Sequence, residues 1–299
     1  MLYIIQTTLT LGFVYSLVAL ALFISYRILD IADLTTDGCY VLGMAVSVTA
    51  AYYGHPIFGI FLAIIAGMAA GYCTAFLQTR MGVPSILAGI VTNTGLYTIN
   101  LMVMGWSSNV ALLKKETIFM LFKHLGIGGP WMDLAIVAVI VIGCMALLRY
   151  FLSTRLGLSI RATGDNKDMV AASSINPRFT ITVGLVIANA LTGLCGALVG
   201  QLQKSADINA GTGIVVIGLA CLIIGETVMN GKKNMTRNIL ACLIGNIIYR
   251  FIYAIILQTR LIPIDFLKLV TALIVALAIA SPSLKENFSL YARRRKESL

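Results

Sequence analysis

Apolar residues fill this chain in long blocks, which short polar segments interrupt. Each block approaches the roughly 20 residues that a membrane-spanning helix needs. The blocks are continuous and do not alternate with a period of two, which favours helices over the strands of a barrel. We therefore predict an all-α polytopic membrane protein with about nine transmembrane helices, within a range of about 8–10. The predicted spans are residues 3–26, 35–53, 57–78, 84–105, 133–152, 179–201, 211–229, 238–257 and 265–281.

The composition agrees with this class. Hydrophobic residues make up 59% of the 299 positions and charged residues 11%, whereas a soluble domain carries about 25% charged residues. So little charge cannot cover the surface of a water-soluble fold of this size. We expect one transmembrane domain over residues 1–299, surrounded by a lipid bilayer.

The basic residues predict the orientation of the chain. The formal net charge is +10, and Lys and Arg of membrane proteins collect on the cytoplasmic side. An outside N-terminus and a cytoplasmic C-terminus leave most of them inside. The connections are then an external amphipathic loop at 106–132, a cytoplasmic loop at 153–178 and a basic cytoplasmic tail at 282–299. Because topology accounts for the positive charge, we expect no nucleic-acid partner.

No pattern indicates covalent chemistry, a metal site or a cofactor held by this chain. The six cysteines lack Cys-x-x-Cys and Cys/His spacing, and His55 and His124 stand alone. The phosphate-binding pattern Gly-x-x-x-x-Gly-Lys-Ser/Thr is absent from the sequence, so ATP hydrolysis by that route is not expected. We predict a protein that is not an enzyme.

Several polar residues fall inside the predicted spans, where they are costly and therefore candidates for a site. Asn93 and Asn100 are seven residues apart, so they share one helix face. Such residues either line a transport pathway or bridge neighbouring helices, and the sequence leaves both roles open. The candidates for the pathway are Thr92, Asn93, Asn100, Asn189 and Asn246.

The start of the second predicted span carries Thr35, Thr36 and Asp37, which are residue types that cap helices. The positive end of a half-helix can also receive a carboxylate inside a cavity. Because Asp37 itself would occupy that end, we favour a cap of span two. Further along, we expect Glu226 to reach the interface or to pair with Arg237 or Lys233.

Arg250 lies inside a predicted span, where it either snorkels to the surface or lines an outer vestibule. Glycines recur at the spacing of helix interfaces, which predicts close helix packing. The glycine pairs are Gly67 with Gly71 and Gly196 with Gly200, and Gly193 precedes the second pair.

The stretch RATGDNKDMVAASSINPR, residues 161–178, is polar and too short to form a domain. Its amphipathic pattern predicts a helix over 161–172 that Asn176 and Pro177 end. A short cytoplasmic helix can dock on a soluble partner and transmit force to the spans, or it can be an ordinary solvated loop. The pattern alone does not choose between these roles.

This stretch resembles the coupling loop of ABC-importer permeases of the branched-chain amino acid and ribose type. The resemblance lies in Arg-Ala-x-Gly-x-Asn from Arg161, the pair Ala171-Ala172, and Ser-x-Ile-Asn ending at Asn176. The family usually has Gly where Ser174 stands. A second similarity covers Tyr26–Gly38, YRILDIADLTTDG, followed by Leu42-Gly43, and its aspartates are most similar to the subgroup paired with tryptophan- or tyrosine-type binding lipoproteins.

The resemblance implies the permease subunit of an importer in a bacterial cytoplasmic membrane. Two permease copies would form the pathway, two cytosolic ATPase subunits would bind ATP and magnesium, and an extracytoplasmic protein would deliver substrate. The residues implied in ATPase coupling are Arg161, Gly164, Asp165, Asn166, Lys167, Ala171, Ser174 and Asn176. The expected substrate is an amino acid, aromatic ahead of branched-chain. A sugar or nucleoside importer, an ion-coupled secondary transporter and a structural membrane subunit remain alternatives.

Overall fold

The computed structural model describes residues 2–113, 115–124, 131–229 and 234–259, together with 272, 273 and 276. Almost all regular structure in this part of the chain is helical. The helices are α1 (Leu2–Leu22), α2 (Thr36–Tyr52), α3 (Pro56–Thr79), α4 (Ser85–Val103), α5 (Ile118–His124), α6 (Met132–Ser153), α7 (Arg155–Asp165), α8 (Lys167–Ala172), α9 (Pro177–Gln203), α10 (Ile214–Met229) and α11 (Met235–Thr259). A π-helical segment, Phe23–Ile28, extends α1.

Six helices of the described residues are long and apolar enough to cross a membrane. They are Ile4–Ile28, Pro56–Thr79, Ser85–Val103, Met132–Ser153, Pro177–Gln203 and Met235–Gln258. The predicted class is therefore confirmed, but the predicted count of about nine is not supported. Predicted spans 35–53 and 211–229 contain the shorter helices α2 and α10. Predicted span 265–281 lies almost entirely outside the described residues.

Helix α9 is at the centre of the fold, where it packs against α1, α2 and α3. Glycine permits this packing: a Cβ atom on Gly43 would collide with the backbone of Gly193, and one on Gly67 would collide with the carbonyl oxygen of Asn189. Gly196 lies equally close to the carbonyl oxygen of Tyr40. The close helix packing predicted from the glycine spacing is confirmed at these crossings.

Helix α9 also separates the two ends of the molecule. Its 27 residues correspond to about 40 Å. Helices α7 and α8 precede its first residue, whereas a small antiparallel ribbon follows its last. This ribbon pairs β1 (Asn109–Ala111) with β2 (Ser205–Asp207). Strand β1 and helices α7 and α8 therefore lie at opposite ends of α9.

The described part of the segment at 106–132 contains strand β1 and one short helix. Helix α5 covers only Ile118–His124, and Leu112 is buried beside the ribbon while Leu113 is exposed. The side-chain amide oxygen of Gln201 accepts a hydrogen bond from the Ile118 backbone N–H at 2.9 Å. This bond fixes the start of α5 to the end of α9.

Candidate functional site

Two short helices begin near the middle of the molecule rather than at its ends. Helix α2 has 17 residues and α10 has 16, which correspond to about 25 and 24 Å, less than the roughly 30 Å hydrocarbon core. Asn189 lies near the middle of α9, and its Nδ2 donates to Asp33 Oδ2 at 2.7 Å. The chain therefore already lies at mid-depth when it enters α2.

The N-termini of these two helices meet at Asp37. Its Oδ1 accepts a hydrogen bond from the Val215 N–H at 2.9 Å, and its Oδ2 accepts one from the Gly213 N–H at 3.2 Å. A carboxylate at this position satisfies the free N–H groups of α10 and complements its dipole. Asp37 thus caps α10, which lies far away in the sequence.

The predicted cap of span two is therefore replaced by a different arrangement. The Thr35 side chain makes no capping bond to α2 among the described residues; its Oγ1 shares a 2.6 Å hydrogen bond with Thr74 Oγ1. Thr36 Oγ1 donates to the Asp33 carbonyl oxygen at 3.1 Å. Asp33 in turn accepts the Thr35 N–H at 2.9 Å. Sequence adjacency suggested a local cap, whereas the partners of Thr35 and Asp37 come from other helices.

A cavity of about 370 Å³ lies where the two N-termini meet. We call it the central cavity, because Asn93 in its wall is near the middle of α4. Helix α4, the start of α2 and the segment before α10 form its walls. Its polar lining residues are Asp37, Asn93, Thr94, Tyr97, Asn100, Asn209 and Thr212.

Of the five predicted pathway residues, two line the central cavity and three do not. Asn93 and Asn100 both line the central cavity. Thr92 Oγ1 donates to the Ala88 carbonyl oxygen at 2.9 Å, within its own helix. Asn246 is buried and its Nδ2 donates to Cys242 at 3.0 Å, also within its own helix. Asn189 bridges α9 to Asp33.

Asn100 has an unusual hydrogen-bond arrangement. Its side chain is 1% exposed, and its Nδ2 donates to the Gly38 carbonyl oxygen at 3.1 Å. Its Oδ1 is buried without a hydrogen-bond partner in the described part of the chain. An unpaired buried acceptor costs about 1–3 kcal/mol, so this oxygen is a candidate for contact with a ligand.

The segment at 153–178 forms two helices, not the single helix predicted over 161–172. Helix α7 begins earlier, at Arg155, and the chain breaks at Asn166, which is extended. Asn166 Oδ1 accepts the N–H groups of Asp168 and Met169 at 3.0 and 2.9 Å. Asn favours this capping role over the interior of a helix, which explains the break.

Three other predicted coupling residues have structural roles. Gly164 lies against the Ile28 carbonyl oxygen, where a Cβ atom would collide. Ser174 adopts a left-handed conformation with φ of 61°. Asn176 Oδ1 accepts the Arg178 N–H at 3.0 Å and caps α9. The remaining predicted coupling residues are exposed: Arg161, Asp165, Lys167 and Ala171.

The two-helix segment is packed against the chain that leads into the central cavity. Besides the contact of Gly164 with Ile28, Thr163 Oγ1 shares a 2.8 Å hydrogen bond with Thr180 Oγ1 at the start of α9. Residues 29–35 connect Ile28 to α2. A movement of α7 therefore has a continuous path of packed backbone to the N-terminus of α2.

Two charged residues have partners that differ from those expected. Glu226 Oε1 pairs with Arg27 Nε at 3.1 Å, whereas Arg237 or Lys233 was the predicted partner, and Lys233 lies outside the described residues. The Arg250 guanidinium lies over the Tyr15 ring, 3.7 Å from its centroid. It therefore does not extend freely to the surface, and it borders a second cavity of about 510 Å³ between α1 and α11.

The sequence analysis missed the segment before α10, which supplies Asn209 and Thr212 to the cavity. The signal was present as the run NAGTG, residues 209–213, which crosses the start of the predicted span 211–229. Polar residues with glycine at the start of an apolar block are typical of a broken membrane helix.

Comparison with known proteins agrees with this architecture. The model of a family described as branched-chain amino acid transport system / permease component matches residues 4–280. A tyrosine transport system permease protein of Clostridioides difficile is 33% identical over 287 residues, which cover 96% of this chain and 93% of the relative. An uncharacterized protein, RP368, of Rickettsia prowazekii is 33% identical over 88% of this chain and 91% of its own length.

A more distant relative is the ribose import permease protein RbsC of Escherichia coli, 27% identical over 71% of this chain and 62% of the relative. No solved structure matches the chain significantly. The family match covers nearly the whole chain, and it agrees with the apolar helices and the motifs at 26–43 and 161–176. The chain therefore belongs to the family of branched-chain amino acid transport system permease components and is a multi-pass protein of the bacterial inner membrane.

Proposed function

We propose that this chain is the membrane-spanning permease subunit of an ATP-driven importer of amino acids, aromatic or branched-chain. A separate cytosolic ATPase dimer drives alternating access, and a second permease copy completes the pathway. An extracytoplasmic binding protein delivers the substrate. The chain contributes the pathway and the mechanical link, whereas ATP and magnesium belong to the ATPase.

The observation that carries this proposal is the contact between the coupling segment, α7 with α8, and the chain entering α2. One face of the segment is buried through Val170, and the other is exposed and includes Met169, which is 58% exposed. An exposed apolar residue beside charged ones is typical of a docking surface. Movement of a docked partner would reach the central cavity through Gly164 and Ile28.

The proposed orientation places α7 and α8 inside the cell and the β1–β2 ribbon outside. The N-terminus is then external, and the predicted basic tail at 282–299 is cytoplasmic. Positive residues of the coupling segment and tail support this arrangement, because Lys and Arg favour the inner side. The external segment at 106–132 is then the surface available to the binding protein.

The amino acid assignment is supported by two comparisons. The family description names branched-chain amino acids, and the relative with 93% coverage is a tyrosine permease. Relatives named for ribose and D-allose also match, over shorter parts of the chain. A sugar importer is therefore the second candidate within the same class.

An ion-coupled secondary transporter is the other candidate. Asp33 and Asp37 both lie at mid-depth. Such carboxylates are typical of ion pathways. The family match over residues 4–280 supports the importer over this candidate.

The test of the proposed function uses the full chain, tagged and purified from native membranes. We expect an ATP-hydrolysing subunit to co-purify, and we expect Met169→Asp to reduce the co-purifying ATP hydrolysis about tenfold, a loss of about 1.4 kcal/mol in affinity. Leu113→Asp is the matched control, because Leu113 is 82% exposed at the opposite end. Equal ATP hydrolysis in both variants would contradict docking at the coupling segment.

Transport itself separates the importer from the ion-coupled candidate. The purified transporter is reconstituted in liposomes with its binding protein. Uptake that requires enclosed ATP and persists without ion gradients supports the proposal. Uptake that requires an ion gradient and ignores ATP overturns it.

A further inference from the structure

The central cavity is lined by one carboxylate and by amide and hydroxyl side chains that can both donate and accept hydrogen bonds. Among the described residues that line it, Asp37 is the single formally charged one. A carboxylate has about four acceptor sites, and α10 takes two of them. Asp37 therefore keeps acceptor capacity on the side that faces the cavity.

Asn100 adds an acceptor with no present use. Its Nδ2 is held by the Gly38 carbonyl oxygen at 3.1 Å, which fixes the amide so that Oδ1 is the free atom. This oxygen is buried without a partner in the described residues, although it belongs to a lining residue of the cavity. A ligand that donates hydrogen bonds would remove the cost of this unpaired acceptor.

The carboxylate and the unpaired amide oxygen favour the same chemical group. A primary ammonium carries three N–H donors and a positive charge, and both features are complemented here. A carboxylate or phosphate ligand would instead meet the charge of Asp37 and the unpaired oxygen of Asn100. A neutral sugar can donate to Asn100, but it gains no charge pairing with Asp37.

We infer that the central cavity is a binding station for the ammonium group of the transported solute, with Asp37 and Asn100 as its recognition residues. This inference rests on the proposed import function and adds to it a selection step inside the membrane. Selection then occurs twice, first in the binding protein and again in the permease. Tyr97 and Thr94 also line the cavity.

The experiment measures ATP-dependent uptake by the reconstituted transporter with radiolabelled L-tyrosine, L-leucine and D-ribose. Every reaction uses the same binding protein, so a difference between variants belongs to the permease. Asp37→Asn keeps the shape and one capping oxygen but removes the charge. We expect the KM for the transported amino acid to rise about tenfold.

Asn100 provides a second pair of variants that does not disturb the α10 cap. Asn100→Leu and Asn100→Asp both remove the bond to Gly38, but only the second keeps acceptors. We expect Asn100→Leu to raise KM about tenfold and Asn100→Asp to retain amino acid uptake. A purely packing role predicts the reverse order, because Leu fits a buried site better than Asp. Asn246→Leu is the matched control, since Asn246 is equally buried and bonded within its own helix.

The outcomes separate this inference from the proposed function. Amino acid uptake that is unchanged in Asp37→Asn and Asn100→Leu overturns the ammonium station and leaves the importer intact. ATP-dependent uptake of ribose alone overturns the ammonium station and the amino acid assignment, and it leaves only the ATP-driven importer class intact. The absence of ATP-dependent uptake of all three solutes contradicts the importer for those substrates, and the ammonium station with it.

Discussion

At the scale of single residues, asparagine and aspartate side chains make the hydrogen bonds that join and cap the helices of this protein. Asp37 joins two helix N-termini, Asn189 holds Asp33 at mid-depth, and Asn166 divides the coupling segment. The residue types and their unusual depth were predictable from the sequence. Their partners were not, because each bond except the Asn166 cap joins residues far apart in the chain.

Ser174 is the residue at which this chain departs from the resembled family, and its φ of 61° explains why glycine would suit the position. A residue with a Cβ atom in this conformation costs about 1–2 kcal/mol. We therefore expect Ser174→Gly to raise the free energy of unfolding by about 1 kcal/mol. Thermal unfolding in detergent measures the change.

The control is Ser173→Gly, because Ser173 has an ordinary φ of −86°. It should leave the unfolding temperature unchanged or lower it. Equal stabilisation by both substitutions would show that strain at Ser174 is not the cause.

Loss of the hydrogen bond from Asn189 to Asp33 should change the free energy of unfolding more than the Ser174→Gly substitution does. Asn189→Ala removes a donor from a carboxylate that is 3% exposed, and a buried charged group without its partner costs about 1–3 kcal/mol or more. Asn246→Ala removes only a bond within one helix. We expect the Asn189→Ala variant to have a clearly lower unfolding temperature than the Asn246→Ala variant. The opposite order of unfolding temperatures would contradict the bridging role.

At the scale of elements, the apolar blocks predicted six spans to within a few residues. Helices α2 and α10 were harder to predict, because their apolar content equals that of a full span. Their first residues follow polar runs, residues 30–37 and 209–213, at the edges of the apolar blocks. Hydropathy averages over such runs, whereas the fold uses them to begin helices at mid-depth.

The division of the coupling segment at Asn166 is a testable feature of this kind. Asn166→Ala removes the cap of α8 and should cost about 1 kcal/mol, whereas Asn166→Asp keeps an acceptor and should cost little. Because α8 carries Met169, we expect Asn166→Ala also to weaken ATPase co-purification. Equal behaviour of the two variants in both measurements would contradict the capping role.

At the scale of the whole molecule, α9 connects two functional ends to one central site. Its first turn contacts the coupling segment, its middle holds Asp33, and its end carries the ribbon. The class and the family resemblance were predictable, because they depend on composition and local motifs. The central cavity was not, because it needs α2, α4 and the segment before α10 together.

Alternating access requires that the central cavity open in turn to the two sides of the membrane. Thr94 lines the cavity and is exposed, so Thr94→Cys provides a thiol there. The parent chain, with its six cysteines, gives the background labelling by a membrane-impermeant maleimide. In sealed vesicles of known orientation, we expect ATP binding to raise labelling from one side and lower it from the other. Labelling that is the same on each side with and without ATP would contradict alternating access at this site.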